Sequence, residues 1–143
     1  MVKELTPDEF TERLLPIFRD VERKFSYPGG TFDPGHFFPT WQSLMKVKVA
    51  RTWEQGPGNA VLGAIFTPNM FVKNPNALVT FWYKRDNAPS AMPLLKVAIK
   101  EARKAGCKLL YSAIYHGLTP ERVKVAHYRL GFEDSETVLR KVL

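Results

Sequence analysis

Cysteine is almost missing from this chain of 143 residues: Cys107 is the only one. A lone thiol excludes an internal disulfide framework and every multi-cysteine metal site. Histidine is nearly as scarce, at three residues, His36, His116 and His127. None has a carboxylate at ligand spacing, so no metal site is expected. No apolar run approaches the roughly 18 consecutive residues a membrane helix needs, so no membrane partner is expected. The opening Met1-Val2-Lys3-Glu4 carries no apolar signal segment, which together with the scarce cysteine points to a reducing interior. That interior is a cell cytoplasm or the inside of a virus-like particle, which composition does not separate. Acidic residues are the minority, 14 against 21 basic ones.

What is present fits an ordinary globular domain. Apolar residues make up 45% of the chain and charged residues 24%, enough to fill one core and too apolar for disorder. A single domain over residues 1–143 is expected. The net charge of +7 attracts polyanions: nucleic acid, an acidic protein surface or a phosphate-bearing cofactor. The basic residues are scattered, which favours a solvated basic surface over a dedicated nucleic-acid face.

The order of elements can be read from periodicity and punctuation. Thr6 and Glu9 form a capping box with Pro7 at the first helical position. Phe10, Leu14, Ile17, Phe18, Val21 and Phe25 follow at helical spacing, and Pro16 is expected to bend or divide that helix. Tyr27-Pro28-Gly29-Gly30 and Asp33-Pro34-Gly35 are breakers. A short second helix then carries Phe37, Phe38, Trp41 and Leu44. Three strands are expected at Val47–Glu54, Ala60–Phe66 and Ala77–Tyr83, as an antiparallel meander. A strand–helix–strand unit comes next. Its helix is capped by Ser90, shows Ala91, Leu94, Leu95, Ala98, Ala102 and Ala105 on one face, and stops at Gly106. Cys107–Tyr115 reads as a buried strand, with Cys107 in the core. Thr119 and Pro120 open a last helix that Gly131 ends, and Phe132–Leu143 is expected to close the chain as a strand. The fold class is therefore α/β, of the α+β kind: a mixed central sheet with helices on both faces.

Several segments carry a resemblance. Leu94-Leu95-Lys96-Val97-Ala98-Ile99-Lys100-Glu101-Ala102 with Gly106-Cys107 resembles the central helix of the GNAT superfamily of N-acetyltransferases and its exit into a strand. Ala126-His127-Tyr128-Arg129-Leu130-Gly131-Phe132 is similar to that family's Gly-Phe turn before the final strand. Phe81-Trp82-Tyr83 followed by Ser90-Ala91-Met92 is similar to small GNAT-like proteins carried by bacteriophages. The resemblance covers roughly residues 41–143.

It implies N-acyl transfer from acetyl-CoA by direct attack of an amine, the acceptor being unknown. The pantetheine arm would lie between two splayed parallel strands, against the main chain of Phe81, Trp82, Tyr83 and Lys84. The diphosphate would meet Arg85, Ser90, Ala91 and Met92 at a helix start. Here the chain departs from the family: Arg85-Asp86-Asn87-Ala88-Pro89-Ser90-Ala91-Met92-Pro93 contains no glycine. Pro89 and Pro93 remove two N–H donors, and Asp86 adds a negative charge. A tyrosine usual in the last helix is replaced by His127, with Tyr128 one step later. His127 is the candidate acid and Tyr128 a secondary one, while Glu54, the only carboxylate in the three meander strands, is the candidate base. The alternative implied by the same departures is a catalytically silent structural or interaction protein, a virion component if phage-encoded, with Trp41, Trp53, Phe71 and Trp82 as interface aromatics and an assembly partner to match.

Overall fold

The capping box forms as the sequence dictates. The Thr6 main-chain N–H donates to Glu9 Oε2 at 3.0 Å, and the Glu9 N–H donates to Thr6 Oγ1 at 3.4 Å. It starts helix α1, Pro7–Glu22, in a computed structural model that describes residues 1–22, 32–114, 119–141 and 143. Pro16 does not divide α1, which runs through it. Phe10, Leu14, Ile17 and Phe18 on the apolar face are all buried, and that burial outweighs the one main-chain bond a proline forfeits. Of the sequence readings in this region, the side chain of Val21, Phe25 and the breaker at 27–30 lie outside the described residues, as do Tyr115 and His116 further on.

Helix α2, Pro34–Lys46, is capped by Asp33, whose carboxylate accepts the His36 N–H at 3.3 Å. The stretch after it differs from the expected strand. Val47 caps the helix end and Lys48 takes a positive φ of 61°, so this β-branched segment is a turn. The strand β2 begins only at Ala50 and ends at Gln55. β3 (Ala60–Thr67) and β4 (Asn76–Lys84) complete the meander at nearly the expected places. A further strand, β1 (Val2–Glu4), pairs antiparallel with β2 through Val2↔Gln55 and Glu4↔Trp53. At three residues it is too short to show periodicity, and the pairing that makes it a strand is supplied by β2.

Helix α3 spans Met92–Lys104 and ends with Gly106 at φ 84°, the left-handed residue that a helix stop requires. Its N-cap is Ala91, with no side-chain bond, one position after the expected Ser90. β5 is shorter than expected, Leu109–Ser112, and Cys107 is half-buried ahead of it. Helix α4, Glu121–Arg129, starts one position later than expected, with Pro120 and not Thr119 as its N-cap, and is followed by Gly131 at φ 88°. The terminal segment is not the expected strand: residues 132–141 and 143 lie outside any strand, and Val138 and Leu139 are exposed. β-propensity alone does not make a strand where no ladder is formed.

The sheet order is β1-β2-β3-β4-β5, antiparallel as far as β4, with β5 parallel to β4. Period-two alternation divides its residues between two cores. Ala50, Val61 and Phe81 pack against α1 and α2, with Phe10, Phe18, Phe38 and Trp41. Trp53, Leu62, Ala64 and Val79 pack against α3, with Leu94, Leu95 and Ala98. Arg51 ties β1, β2 and α3 together by donating to both Glu4 oxygens (2.7 and 2.8 Å) and to Glu101 Oε2 (2.9 Å). Those two carboxylates hold its guanidinium in the charged form more firmly than usual. No helix among the described residues is long and apolar enough to cross a membrane.

Candidate functional site

The sheet is irregular at one place. Gly63 of β3 faces Phe81 of β4, but the next residue, Ala64, faces Val79, so Thr80 is left over as a β-bulge. Gly63 is required there, because a Cβ would collide with the Phe81 ring. A bulge bends its strand and adds local twist. On the other edge of β4, pairing with β5 runs from Asn76↔Leu109 to Val79↔Ser112 and goes no further. The bulge and the end of the parallel pairing therefore coincide. From Thr80 to Lys84 the β4 edge turned away from β3 has no strand partner among the described residues, and an edge of that kind can be extended by a linear ligand.

Side chains of this half-strand alternate as expected. Phe81 and Tyr83 point toward α1 and α2, where Phe81 meets Phe18 (5.3 Å between centroids) and Trp41 (4.9 Å). Trp82 points the other way. Its indole N–H donates to the Ala91 carbonyl at 3.2 Å, and its ring meets His127 edge-on at 5.4 Å. Of these residues, Phe81 and Tyr83 are in register to bond β3 through the main chain, and the main-chain groups of Trp82 and Lys84 face the other edge.

His127 is 4% exposed. Its Nδ1 lies 2.8 Å from the Val123 carbonyl oxygen, one turn back on α4. A carbonyl can only accept, so the proton sits on Nδ1. Nε2 lies 2.8 Å from Ser112 Oγ and, in the neutral ring, accepts from that hydroxyl. Phe132, just past Gly131, closes the ring from the side at 5.1 Å. Ser112 itself is half-buried, at the end of β5 and opposite the last paired residue of β4.

The other expected residues are placed elsewhere. Glu54 is 2% exposed on the α1 side of the sheet. It accepts from Arg13 Nε (3.0 Å) and Nη2 (2.8 Å) and from the Gly58 N–H (2.7 Å). Both its oxygens are engaged in structure, and the paired carboxylate in turn holds Arg13 more firmly charged. Tyr128 donates to Asp134 Oδ1 at 2.6 Å, which raises its pKa. It turns outward on α4, as its position one step after His127 requires. Of the three catalytic candidates, only His127 is adjacent to the end of the β4–β5 pairing.

The loop before α3 is largely committed to itself. Lys84 Nζ donates to the carbonyls of Arg85 (3.1 Å) and Ala88 (3.0 Å), and Arg85 pairs with Asp20 of α1 at 3.4 Å. At the helix start, Met92 N–H is shared with Ser90 Oγ at 3.4 Å, Leu94 N–H returns to the Ala91 carbonyl, and Pro93 has no N–H. Gln55, buried in β2, donates to the Ser90 carbonyl at 2.7 Å and leaves its Oε1 without a hydrogen-bond partner among the described residues. Few donors are free for a diphosphate.

Two residues here escape a reading of the sequence. Ser112 is one serine in the apolar run Leu109-Leu110-Tyr111-Ser112, and Gln55 reads as the end of an ordinary strand. Neither carries a local signal, since both acquire partners only through the fold. The proposed interface aromatics also change: Trp41 and Trp53 are buried at 3% and 2% exposed, Trp82 is half-buried, and only Phe71 is open, at 90%. Among the described residues no group of three or more His, Cys, Asp or Glu is placed to hold a metal ion.

Neither a family model nor a curated protein sequence matches this chain. Solved structures do. A putative acetyltransferase from Agrobacterium tumefaciens str. C58 superposes with a TM-score of 0.76 at 13% identity, over 99% of this chain and 98% of that one. A predicted acetyltransferase from Clostridium acetobutylicum, solved with acetyl-CoA, gives 0.74 at 12% identity, over 99% and 94%. Ribosomal-protein-alanine N-acetyltransferase from Brucella melitensis biovar Abortus 2308 gives 0.71 at 11% identity, over 99% of each chain. Together with the bulged β4, the parallel β5 and the helix order, these likenesses identify the architecture: the chain has the GNAT acetyltransferase fold.

Proposed function

We propose that this protein is an N-acyltransferase that takes an acyl group from acetyl-CoA and passes it to an amine. The observation that carries the reading is the coincidence of three features at one point: the Thr80 bulge, the end of β4–β5 pairing at Val79↔Ser112, and His127 held against Ser112. The main-chain groups of Trp82 and Lys84 that face away from β3 suit the amide groups of a pantetheine arm, since a strand edge binds a linear amide by adding hydrogen bonds. When bound, acetyl-CoA supplies an activated thioester carbonyl. N–H groups at the bulge are the donors from this chain that can polarise that carbonyl as charge develops on its oxygen. His127, held against Ser112 beside this point, manages the proton.

The loop tempers this reading in a specific way. Its lysine and the Met92 and Leu94 N–H groups are already bonded locally, and Pro93 has no N–H, so it contributes little to holding the diphosphate. Affinity then rests mainly on the strand edge. The same observation favours the second reading, a silent protein on an acetyltransferase fold.

Release of free thiol from acetyl-CoA in the presence of a panel of primary amines separates the two. Amine-dependent release above the rate with the thioester alone supports acyl transfer. A thiol signal indifferent to every amine supports the silent reading.

A further inference from the structure

His127 cannot reach the open strand edge by itself. Nδ1 is spent on the Val123 carbonyl, and Nε2 points at Ser112 Oγ, 2.8 Å away in each case. Trp82 and Phe132 pack edge-on against the ring, at 5.4 and 5.1 Å, and leave it 4% exposed. Everything the imidazole exchanges with the gap must pass through the serine hydroxyl. Ser112 has the complementary position: it is half-buried and is the last β5 residue paired with β4.

We propose that Ser112 and His127 act as one proton shuttle, with Ser112 as the residue that meets the reacting atoms and His127 as the store behind it. This rests on the acyl-transfer reading above. The amine nitrogen attacks the thioester carbonyl carbon, forming a C–N bond and leaving a positive charge on nitrogen and a negative charge on oxygen. Ser112 Oγ takes a proton from that nitrogen as its own proton moves to His127 Nε2. The carbonyl re-forms, the C–S bond breaks and its electron pair goes to sulfur. Ser112 then gives a proton to the thiolate and recovers one from Nε2. One proton has moved from amine to sulfur, and the pair ends as it began. A hydroxyl between a histidine and the reacting atoms is the arrangement that lets a buried base work without entering the site.

This assignment uses neither of the other two candidate residues, which stand away from the gap. Glu54 is held by Arg13 on the opposite face of the sheet, and Tyr128 is bonded to Asp134. One pair serves in both directions.

The test is kinetics of the full-length protein with acetyl-CoA and the best amine of the panel, comparing wild type, Ser112→Ala and Ser112→Thr. Removing the hydroxyl is expected to lower kcat by about 10²-fold, the lower end of a proton-transfer contribution, while KM for acetyl-CoA stays unchanged. Threonine keeps a hydroxyl on a side chain suited to a strand and is expected to restore most of the rate. Wild-type kcat in Ser112→Ala overturns the shuttle and leaves acyl transfer standing. Equal loss in both variants, with a raised KM or a lowered melting temperature, assigns Ser112 to structure and also overturns it. If the wild type itself transfers to no amine, the acyl-transfer reading falls and the shuttle with it.

Discussion

Replacing His127 with glutamine is expected to lower the rate of acyl transfer by about 10²–10⁴-fold, the range for removal of a positioned acid–base group. Glutamine can still offer an amide N–H and a carbonyl to its neighbours, so the Val123 and Ser112 contacts need not be left as bare buried groups. It cannot gain and lose a proton. The variant therefore removes the chemistry and spares most of the packing against Trp82 and Phe132. Steady-state kinetics with an unchanged KM for acetyl-CoA and a near-normal melting temperature is the expected pattern. A rate close to wild type would show that the proton leaves by another route.

The second large effect concerns stability. Trp53 is 2% exposed in β2, is among the largest fully buried side chains, and sits in the core beneath α3 beside Leu62, Leu94 and Leu95. Arg51 lies over its ring at 5.0 Å on the way to Glu4 and Glu101. Trp53→Ala removes the transfer energy of the ring and opens a cavity that the flanking strands cannot close. The expected cost is about 3–5 kcal/mol. At roughly 2–4 °C per kcal/mol for a chain of about this size, differential scanning calorimetry is expected to show a midpoint lower by about 10 °C. A drop of a degree or two would mean that the α3 layer repacks and is not the rigid support described.

The parts of this fold that the sequence announces are those decided locally. The Thr6–Glu9 capping box and the glycines at 106 and 131 are each settled within a few residues, and each forms; Asp33, read as part of a breaker, instead caps α2. The same holds for the two apolar helix faces and for β3 and β4, whose long runs leave little choice. Readings failed where a partner distant in sequence decides. Val2–Glu4 is a strand only because β2 pairs with it. Val47–Val49 has strand composition but is used to turn the chain out of α2, with Lys48 in the left-handed region. Phe132–Leu143 has similar composition and forms no ladder among its described residues.

The site shows the same division. His127 is visible because it stands where the resemblance leads one to look for an acid. That Glu54 is consumed by Arg13, 41 positions away, is not visible, since nothing near either residue marks the pair. Ser112 is the extreme case: its importance arises from a histidine 15 positions later and from the place where two strands part. Its role could be read only after the fold had placed those elements side by side.

The central claim is that the β4 edge beyond Val79 takes an acyl-CoA, and isothermal titration of the purified protein with acetyl-CoA at low salt tests it most directly. The account predicts saturable heat for one ligand per chain, with affinity that weakens only modestly as salt is added, because the strand edge holds the pantetheine and the loop adds little. No detectable heat up to millimolar acetyl-CoA would contradict it and leave this protein as an acetyltransferase fold put to another use.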